Sequence, residues 1–121
     1  MKKLLEVVFS GSLLFCGLTV IKAATFDTSL SYKYINGWRY GATARLTETS
    51  GSPITYKQVN GSYNKYDNDS GTYTGFYSFT GPYKNGQYEY TIEVGQGYSM
   101  GKVNCNYLAA GTLIDTRTIT P

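Results

Sequence analysis

Apolar and polar residues alternate along much of the chain after residue 24. The run from Gln87 to Val94 places Tyr88, Tyr90, Ile92 and Val94 on one face of an extended segment. The runs from Trp38 to Leu46 and from Lys102 to Tyr107 alternate in the same way. Successive side chains of a β-strand point to opposite faces of the sheet, so this period is typical of half-buried antiparallel strands. No window shows the period of an amphipathic helix, and the pattern therefore predicts an all-β chain.

Turn signals separate the alternating runs at short intervals. Asn36-Gly37 is the strongest, because both central positions of a type I′ turn require positive φ. Further turn signals occur near 50–53, 67–71, 84–86, 95–97 and 109–111. The strands between them are predicted near 28–35, 38–47, 54–63, 72–80, 87–94, 98–108 and 112–120. Seven short strands with such turns predict a small antiparallel β-sandwich of the immunoglobulin-like kind, with a small closed barrel as the alternative.

The alternation also predicts which side chains form the core. Trp38, Ile92, Val94 and Val103 fall on the apolar faces and are expected to be buried. Large aliphatic residues are sparse, and Tyr occupies many inward positions. Since a buried tyrosine hydroxyl needs a hydrogen-bond partner, many of these rings are expected at the rim of the core.

The first 23 residues have the pattern of a secretory signal peptide. Met1-Lys2-Lys3 is basic, an interrupted apolar stretch runs from Leu4 to Ile21, and the small residues Ala23 and Ala24 permit cleavage after Ala23. A retained membrane anchor is the alternative. Residues 24–121 are then expected to form a single secreted domain, and the basic start has a bacterial character.

Net charge argues against polyanionic partners. The whole chain carries 11 basic and 8 acidic residues, and without residues 1–23 it keeps 8 basic and 7 acidic residues, a net charge of +1. A surface this close to neutral does not favour nucleic acid or an anionic membrane. The mature domain is therefore expected to bind no nucleic acid and to enter no membrane. It is also expected to be a monomer.

Catalytic and metal-binding patterns are not found in the sequence. The chain has no His, and Cys105 is the one Cys outside the predicted signal, expected as a buried apolar residue or as a thiol for an intermolecular disulfide. Asp67-Asn68-Asp69-Ser70-Gly71 lacks the spacing of a calcium loop and is predicted to be a turn. Glu89 and Glu93 lie roughly 13 Å apart along a strand, farther than the roughly 5–9.5 Å of paired glycosidase carboxyls. We expect no enzyme, no metal and no cofactor.

Tyrosines among flexible turn residues predict a binding surface. The candidate binding residues are Tyr63, Tyr66, Tyr73, Tyr77 and Tyr83. Rigid aromatic rings beside amides and hydroxyls are typical of surfaces that stack on sugars or anchor proteins. The sequence therefore favours a secreted, non-catalytic binding domain for an extracellular or cell-surface carbohydrate or protein.

A second candidate site follows the Asn36-Gly37 turn. The tripeptide Trp38-Arg39-Tyr40 resembles the one that tendamistat-type α-amylase inhibitors present from a small β-sandwich. The resemblance covers three residues, and the two disulfides of that family are missing here. It implies an enzyme inhibitor. The alternative function is therefore a secreted effector, either such an inhibitor or a bacteriocin-like antibacterial polypeptide.

Overall fold

The fold is all-β in the computed structural model, which describes residues 25–50 and 56–121. Its strands are β1 (Thr25–Ile35), β2 (Trp38–Ser50), β3 (Lys57–Asp67), β4 (Thr72–Tyr73), β5 (Tyr77–Thr80), β6 (Tyr88–Glu93), β7 (Tyr98–Ala109) and β8 (Thr112–Ile119). No helix occurs among these residues. The predicted all-β class is confirmed. The predicted strand at 72–80 is two short strands, and the predicted signal peptide lies outside the described residues.

Two antiparallel sheets enclose one core in a sandwich-like arrangement. The first sheet has the strand order β1-β2-β6. In the second sheet β3 and β7 are central, β8 lies beside β7, and both β4 and β5 pair with the other side of β3. The core residues come from both sheets: Ala42, Ala44 and Leu46 face Val59, Val103 and Tyr107. Alternation therefore buries one face of each sheet against the other.

The core confirms three of the four predicted buried residues. Ile92, Val94 and Val103 are 5%, 4% and 0% exposed. Cys105 is also buried and unpaired, as expected for an apolar member of the core. Strand alternation was therefore a sufficient guide wherever the opposite sheet covers the strand.

Trp38 contradicts the prediction, because its side chain is 54% exposed. It pairs with Ile35 directly beside the two-residue turn, where Asn36 and Gly37 adopt the predicted positive φ angles of 51° and 82°. Alternation assigns Trp38 to the inner face of its strand, but this last pair of the hairpin extends beyond the packed core. The ring is therefore available to a partner.

Two tyrosines are fully buried, unlike the rim positions expected for most of them. The Tyr107 hydroxyl donates to the carbonyl of Ser29 at 2.6 Å, and the Tyr88 hydroxyl donates to the carbonyl of Pro82 at 2.8 Å. Burial is the main cause that raises the pKa of both hydroxyls. The Tyr107 bond connects β7 to β1 and so joins the two sheets.

Charged side chains close the sandwich between the edge strands β1 and β8. Arg117 donates from Nε to the Thr28 hydroxyl at 2.7 Å and lies 3.4 Å from the Asp115 carboxylate. Thr28 also donates to Asp115. Asp115 and Arg117 pair with the core residues Tyr107 and Cys105, and so lie on the inner face of an edge strand. Inward-pointing charges of this kind discourage pairing of that edge with another chain.

Candidate binding site

Several loops converge at one end of the sandwich, next to the Asn36-Gly37 turn. The amide of Val94 donates to the carbonyl of Tyr40 at 3.1 Å, which ties the end of β6 to the β1–β2 hairpin. The amide of Asn68 donates to the carbonyl of Gly97 at 3.0 Å, which ties the 68–71 turn to the same region. Backbone hydrogen bonds therefore hold these loops together.

Most of the exposed large apolar side chains lie at this end. Among the described residues nine such side chains are exposed. The strand register places six of them around the converging loops, and they are called here the aromatic end: Tyr34, Ile35, Trp38, Tyr73, Phe76 and Tyr77. The other three, Tyr56, Tyr83 and Leu113, lie at the opposite end. Exposed apolar side chains gathered in one place typically mark an interaction surface.

Two of the predicted binding tyrosines form a cluster around a lysine. Tyr63 and Tyr77 are paired across β3 and β5, and their rings stack with centroids 5.6 Å apart. The ammonium group of Lys65 lies 4.8 Å from the centroid of Tyr77 and 4.4 Å from that of Tyr98. These distances allow cation–π attraction to both rings. Lys65 therefore attracts both rings and adds one positive charge to the cluster.

Two further predicted tyrosines form a separate pair. Tyr66 and Tyr73 are register partners on β3 and β4, and their rings meet edge to face with centroids 4.9 Å apart. Tyr66 follows Lys65 directly along the strand, so the pleat directs its side chain to the other face of the sheet. The aromatic end thus presents one tyrosine pair on each face of the five-stranded sheet.

The turn between β3 and β4 is stabilised by the carboxylate of its first residue, Asp67. Asp67 Oδ1 accepts hydrogen bonds from the amides of Asp69 and Ser70 at 2.9 and 3.3 Å. The Ser70 amide and then the Asp69 amide are the main causes that hold the pKa of Asp67 below its usual value. Gly71 completes the turn with a φ of 72°. The predicted turn at 67–71 is confirmed.

Tyr83 does not join the other four candidate tyrosines. It precedes Lys84, whose backbone exchanges hydrogen bonds of 2.7 and 3.0 Å with the backbone of Lys57 at the far end of β3. About nine residues of strand separate this position from Tyr66, roughly 30 Å. Tyr83 lies near the other end of the molecule, and no common surface with Tyr66 is present.

The alternative site Trp38, Arg39 and Tyr40 adjoins the aromatic cluster. Arg39 donates from Nε to the carbonyl of Met100 at 3.0 Å, and its guanidinium lies 5.8 Å from the centroid of Tyr32. Met100 is the register partner of Lys65. The inward bond of Arg39 therefore connects the hairpin to the strand pair that carries the tyrosines. Apart from Tyr83, the two candidate sites from the sequence are parts of one end of the molecule.

Three members of the aromatic end were not foreseen from the sequence. Tyr34 and Ile35 are adjacent, and together with Trp38 they flank the hairpin turn. At this position the side chains on both faces of the hairpin are exposed, so alternation no longer predicts which of them are buried. Phe76 lies in the non-strand segment that interrupts the predicted strand at 72–80. Their position directly beside strong turn residues was the feature of the sequence that could have predicted their exposure.

The glutamates that could suggest paired acid–base residues are engaged in cross-strand ion pairs. Glu89 lies 2.6 Å from Arg45, and Glu93 lies 2.9 Å from Lys33. The partners are roughly half exposed on the outer face of the three-stranded sheet, where ion pairs contribute little stability. Their arrangement serves the solubility of that face.

Cys105 does not have the properties of a reactive thiol. Burial is the largest cause that raises its pKa to about 11, so the thiolate is scarce at neutral pH.

Within residues 25–50 and 56–121, no group of three or more His, Cys, Asp or Glu could hold a metal ion. None of the described residues belongs to a helix with the length and apolar character needed to cross a membrane.

Searches of protein-family models, curated proteins and solved structures found no match to this chain.

Proposed function

We propose that this protein is a secreted, non-catalytic binding domain whose contact surface is the aromatic end. Its target is an extracellular or cell-surface carbohydrate or protein. The observation that carries the proposal is the gathering of six of the nine exposed large apolar side chains of the described residues at one end. Exposed rings exclude water from a partner's apolar surface, and Tyr and Trp often contribute most of the binding free energy at interfaces.

The aromatic end has features that reduce the entropic cost of binding. Tyr77 is held by Tyr63 and Lys65, and Tyr73 is held by Tyr66. Rings that are already ordered lose less side-chain freedom when a partner binds. The backbone hydrogen bonds between the converging loops also reduce the entropic cost of binding, because they restrict the motion of the loops that carry these rings.

Export and an immunoglobulin-like classification are parts of the same proposal. The basic and apolar pattern of residues 1–23 supports removal of a signal peptide and action outside the cytoplasm. Two face-to-face antiparallel sheets support placing the domain with the immunoglobulin-like sandwiches. A near-neutral mature charge supports a domain that binds no nucleic acid.

The proposal predicts that Trp38→Ala combined with Tyr77→Ala abolishes most binding without unfolding the domain. Both rings are about half exposed, so we expect little change in thermal melting. The purified secreted chain is incubated with intact cells, and the bound fraction is measured. We expect apparent affinity for the bound material to fall at least about tenfold, the effect of losing about 1.4 kcal/mol.

Tyr83→Ala combined with Leu113→Ala is the matched control. These side chains are similarly exposed but lie at the opposite end of the sandwich. Their removal is expected to change affinity less than about twofold, because surface contacts outside an interface contribute little. Equal losses in both double variants, or a loss only in the control, would remove the aromatic end as the binding surface.

The exposure of Trp38 also favours the second candidate, a secreted effector. An exposed Trp38 is what the resemblance to tendamistat-type inhibitors implies for a contact residue, and the ring projects beside the Asn36-Gly37 turn. The purified chain is tested for inhibition of α-amylases and of bacterial growth. Inhibition that Trp38→Ala relieves would establish the effector function in place of simple attachment.

A further inference from the structure

The outer face of the five-stranded sheet carries a flat group of uncharged polar side chains. Eight positions form two rows across four strands and are called here the polar lane: Ser78, Ser62, Asn104 and Thr118 in one row, and Thr80, Asn60, Asn106 and Thr116 in the other. They alternate with core residues such as Val59, Val103 and Phe79, which places them on the side away from the core. All eight offer a hydroxyl or an amide, and none carries a charge.

The outer face of the other sheet combines charged side chains with uncharged polar ones such as Ser29 and Ser31. It carries Lys33, Arg45, Glu89 and Glu93, joined in the two cross-strand ion pairs. A solvent-facing sheet in this protein therefore readily accepts charged side chains. The polar lane cannot be explained by solvent exposure alone, because exposure would equally permit charges there.

Cross-strand hydrogen bonds hold the amides of the polar lane in place. Asn106 donates from Nδ2 to Asn60 Oδ1 at 2.9 Å, and Asn104 donates from Nδ2 to the Ser62 hydroxyl at 3.2 Å. Thr118 donates from its hydroxyl to Asn104 Oδ1 at 2.9 Å. Each amide has a second N–H and a second oxygen lone pair, which can bond a ligand. The lane therefore combines ordered side chains with remaining hydrogen-bonding capacity.

A pair of aromatic rings continues the same face toward the aromatic end. Tyr66 lies on β3 with the same parity as Asn60 and Ser62, and the Tyr66–Tyr73 pair lies roughly 20 Å from Asn60 along the strand. The ring of Tyr73 is about half exposed. Lys102 is exposed between the rings and the lane along β7, and its ammonium group adds one positive charge and three hydrogen-bond donors. The face thus presents an aromatic platform followed by a row of hydroxyls and amides.

We propose that this face binds a neutral polysaccharide chain laid along β3 and β7, from the Tyr66–Tyr73 pair across the polar lane. The inference rests on the proposed binding function and names the class of its ligand. Sugar rings present apolar C–H faces that stack on aromatic rings, and their hydroxyls both donate and accept hydrogen bonds. The amides and hydroxyls of the polar lane can exchange hydrogen bonds with sugar hydroxyls, and they do not require a charged ligand. The polar lane has no charged side chain to attract an anionic polymer, and Lys102 beside it supplies a single positive charge, so a neutral chain fits this face better than a polyanion does.

The test adds charge to the polar lane without disturbing the asparagines. Thr80→Asp and Thr116→Asp are combined, since both side chains are exposed and lie at the two ends of one row. The full secreted chain is measured for retention on cellulose, chitin, mannan and curdlan, with alginate as an anionic comparison. We expect the unmodified chain to be retained on at least one neutral polymer. The double variant should lose at least about tenfold in apparent affinity, equivalent to about 1.4 kcal/mol, because the bound polymer would have to displace the water held by the two added carboxylates. Retention should be insensitive to salt, because the ligand carries no charge.

Ser29→Asp combined with Ser31→Asp is the matched control on the outer face of the other sheet. Both serines are exposed, and the variant adds the same charge to the molecule at a different place. We expect it to retain binding within about twofold. Tyr73→Ala should weaken retention about tenfold, whereas Tyr73→Phe should preserve it, since stacking requires the ring and not the hydroxyl.

Different outcomes separate the failure of this inference from failure of the proposed function. Retention on no neutral polymer, or equal retention by the Thr80/Thr116 variant, would overturn the inference. Loss of cell binding in the Trp38/Tyr77 variant would still support binding through the aromatic end in either case. A concentration-dependent dimer in sedimentation that the Thr80/Thr116 variant dissolves would show that the lane pairs with a second copy, which also overturns it.

Discussion

At the scale of single residues, a buried ion pair is an exception to the uncharged core. The Lys57 side chain is 0% exposed and that of Glu48 is 7% exposed, with Nζ and Oε1 3.2 Å apart. The two residues lie on β2 and β3 and so connect the two sheets. Each charge is costly to bury alone, and their mutual attraction offsets this cost. The pair therefore makes folding depend on both partners together.

We expect Lys57→Met to lower the free energy of unfolding by about 3–5 kcal/mol, because it leaves the Glu48 carboxylate buried without its cation. Glu48→Leu combined with Lys57→Met should cost less than Lys57→Met alone, since no charge then remains buried. Urea unfolding of both variants and of Glu48→Leu gives the coupling between the residues. Additive losses would contradict an energetic link between them.

At the scale of elements, the pairing of β3 with β7 depends on one glycine. Gly61 lies opposite Cys105 in the register, with Phe79 on its other side. A Cβ atom at Gly61 would overlap the carbonyl oxygen of Asn104. The missing side chain therefore lets the two central strands approach closely, and it leaves room for Phe79 in the core.

Gly61→Ala is expected to lower stability by about 1–3 kcal/mol or more, the usual cost of forcing atoms into a packed region. Gly75→Ala is the control, because a Cβ at that position meets nothing within 4 Å and its φ is not positive. Chemical unfolding should show a large change for the first variant and little change for the second. A Gly61→Ala protein as stable as the parent would contradict the close approach of the strands.

At the scale of the whole molecule, buried tyrosine hydroxyls and a buried thiol make the stability of the fold depend on pH in the alkaline range. Burial is the largest cause that raises the pKa of Tyr32 to about 12, and Arg39 opposes it. Burial also raises the pKa of Tyr88, Tyr107 and Cys105. In the unfolded chain these groups ionise near their ordinary pKa values of 10.0 for Tyr and 9.0 for Cys. At pH values between the unfolded-state pKa and the folded-state pKa of each group, the unfolded chain has released the proton and the folded chain still holds it.

From about pH 9 upward, stability is therefore expected to fall as the pH rises toward 12. Urea unfolding at a series of pH values measures the slope. Tyr107→Phe removes one of the titrating groups, so its stability should be lower at neutral pH by about 1 kcal/mol through the lost hydrogen bond, but should fall less steeply in alkali. An unchanged free energy of unfolding up to pH 12 would contradict protection of these groups in the core.

The sequence by itself determined the strands and the covered core. Alternation and turn chemistry act over a few residues, so they placed six of the seven predicted strands close to their observed bounds, and they identified Ile92, Val94 and Val103 as buried. The Asn36-Gly37 and 67–71 turns followed from local preferences for positive φ and for side-chain bonds to nearby amides. These features depend on neighbours along the chain, which the sequence shows directly.

Only the tertiary structure decided which exposed residues share a surface. The exposure of Trp38 depends on how far the opposite sheet extends, and the separation of Tyr83 from Tyr66 depends on which strands pair and in what register. The polar lane likewise exists because four strands align eight polar positions that lie far apart in sequence. Strand pairing is a non-local choice, since a shift of one residue would exchange the two faces of a strand.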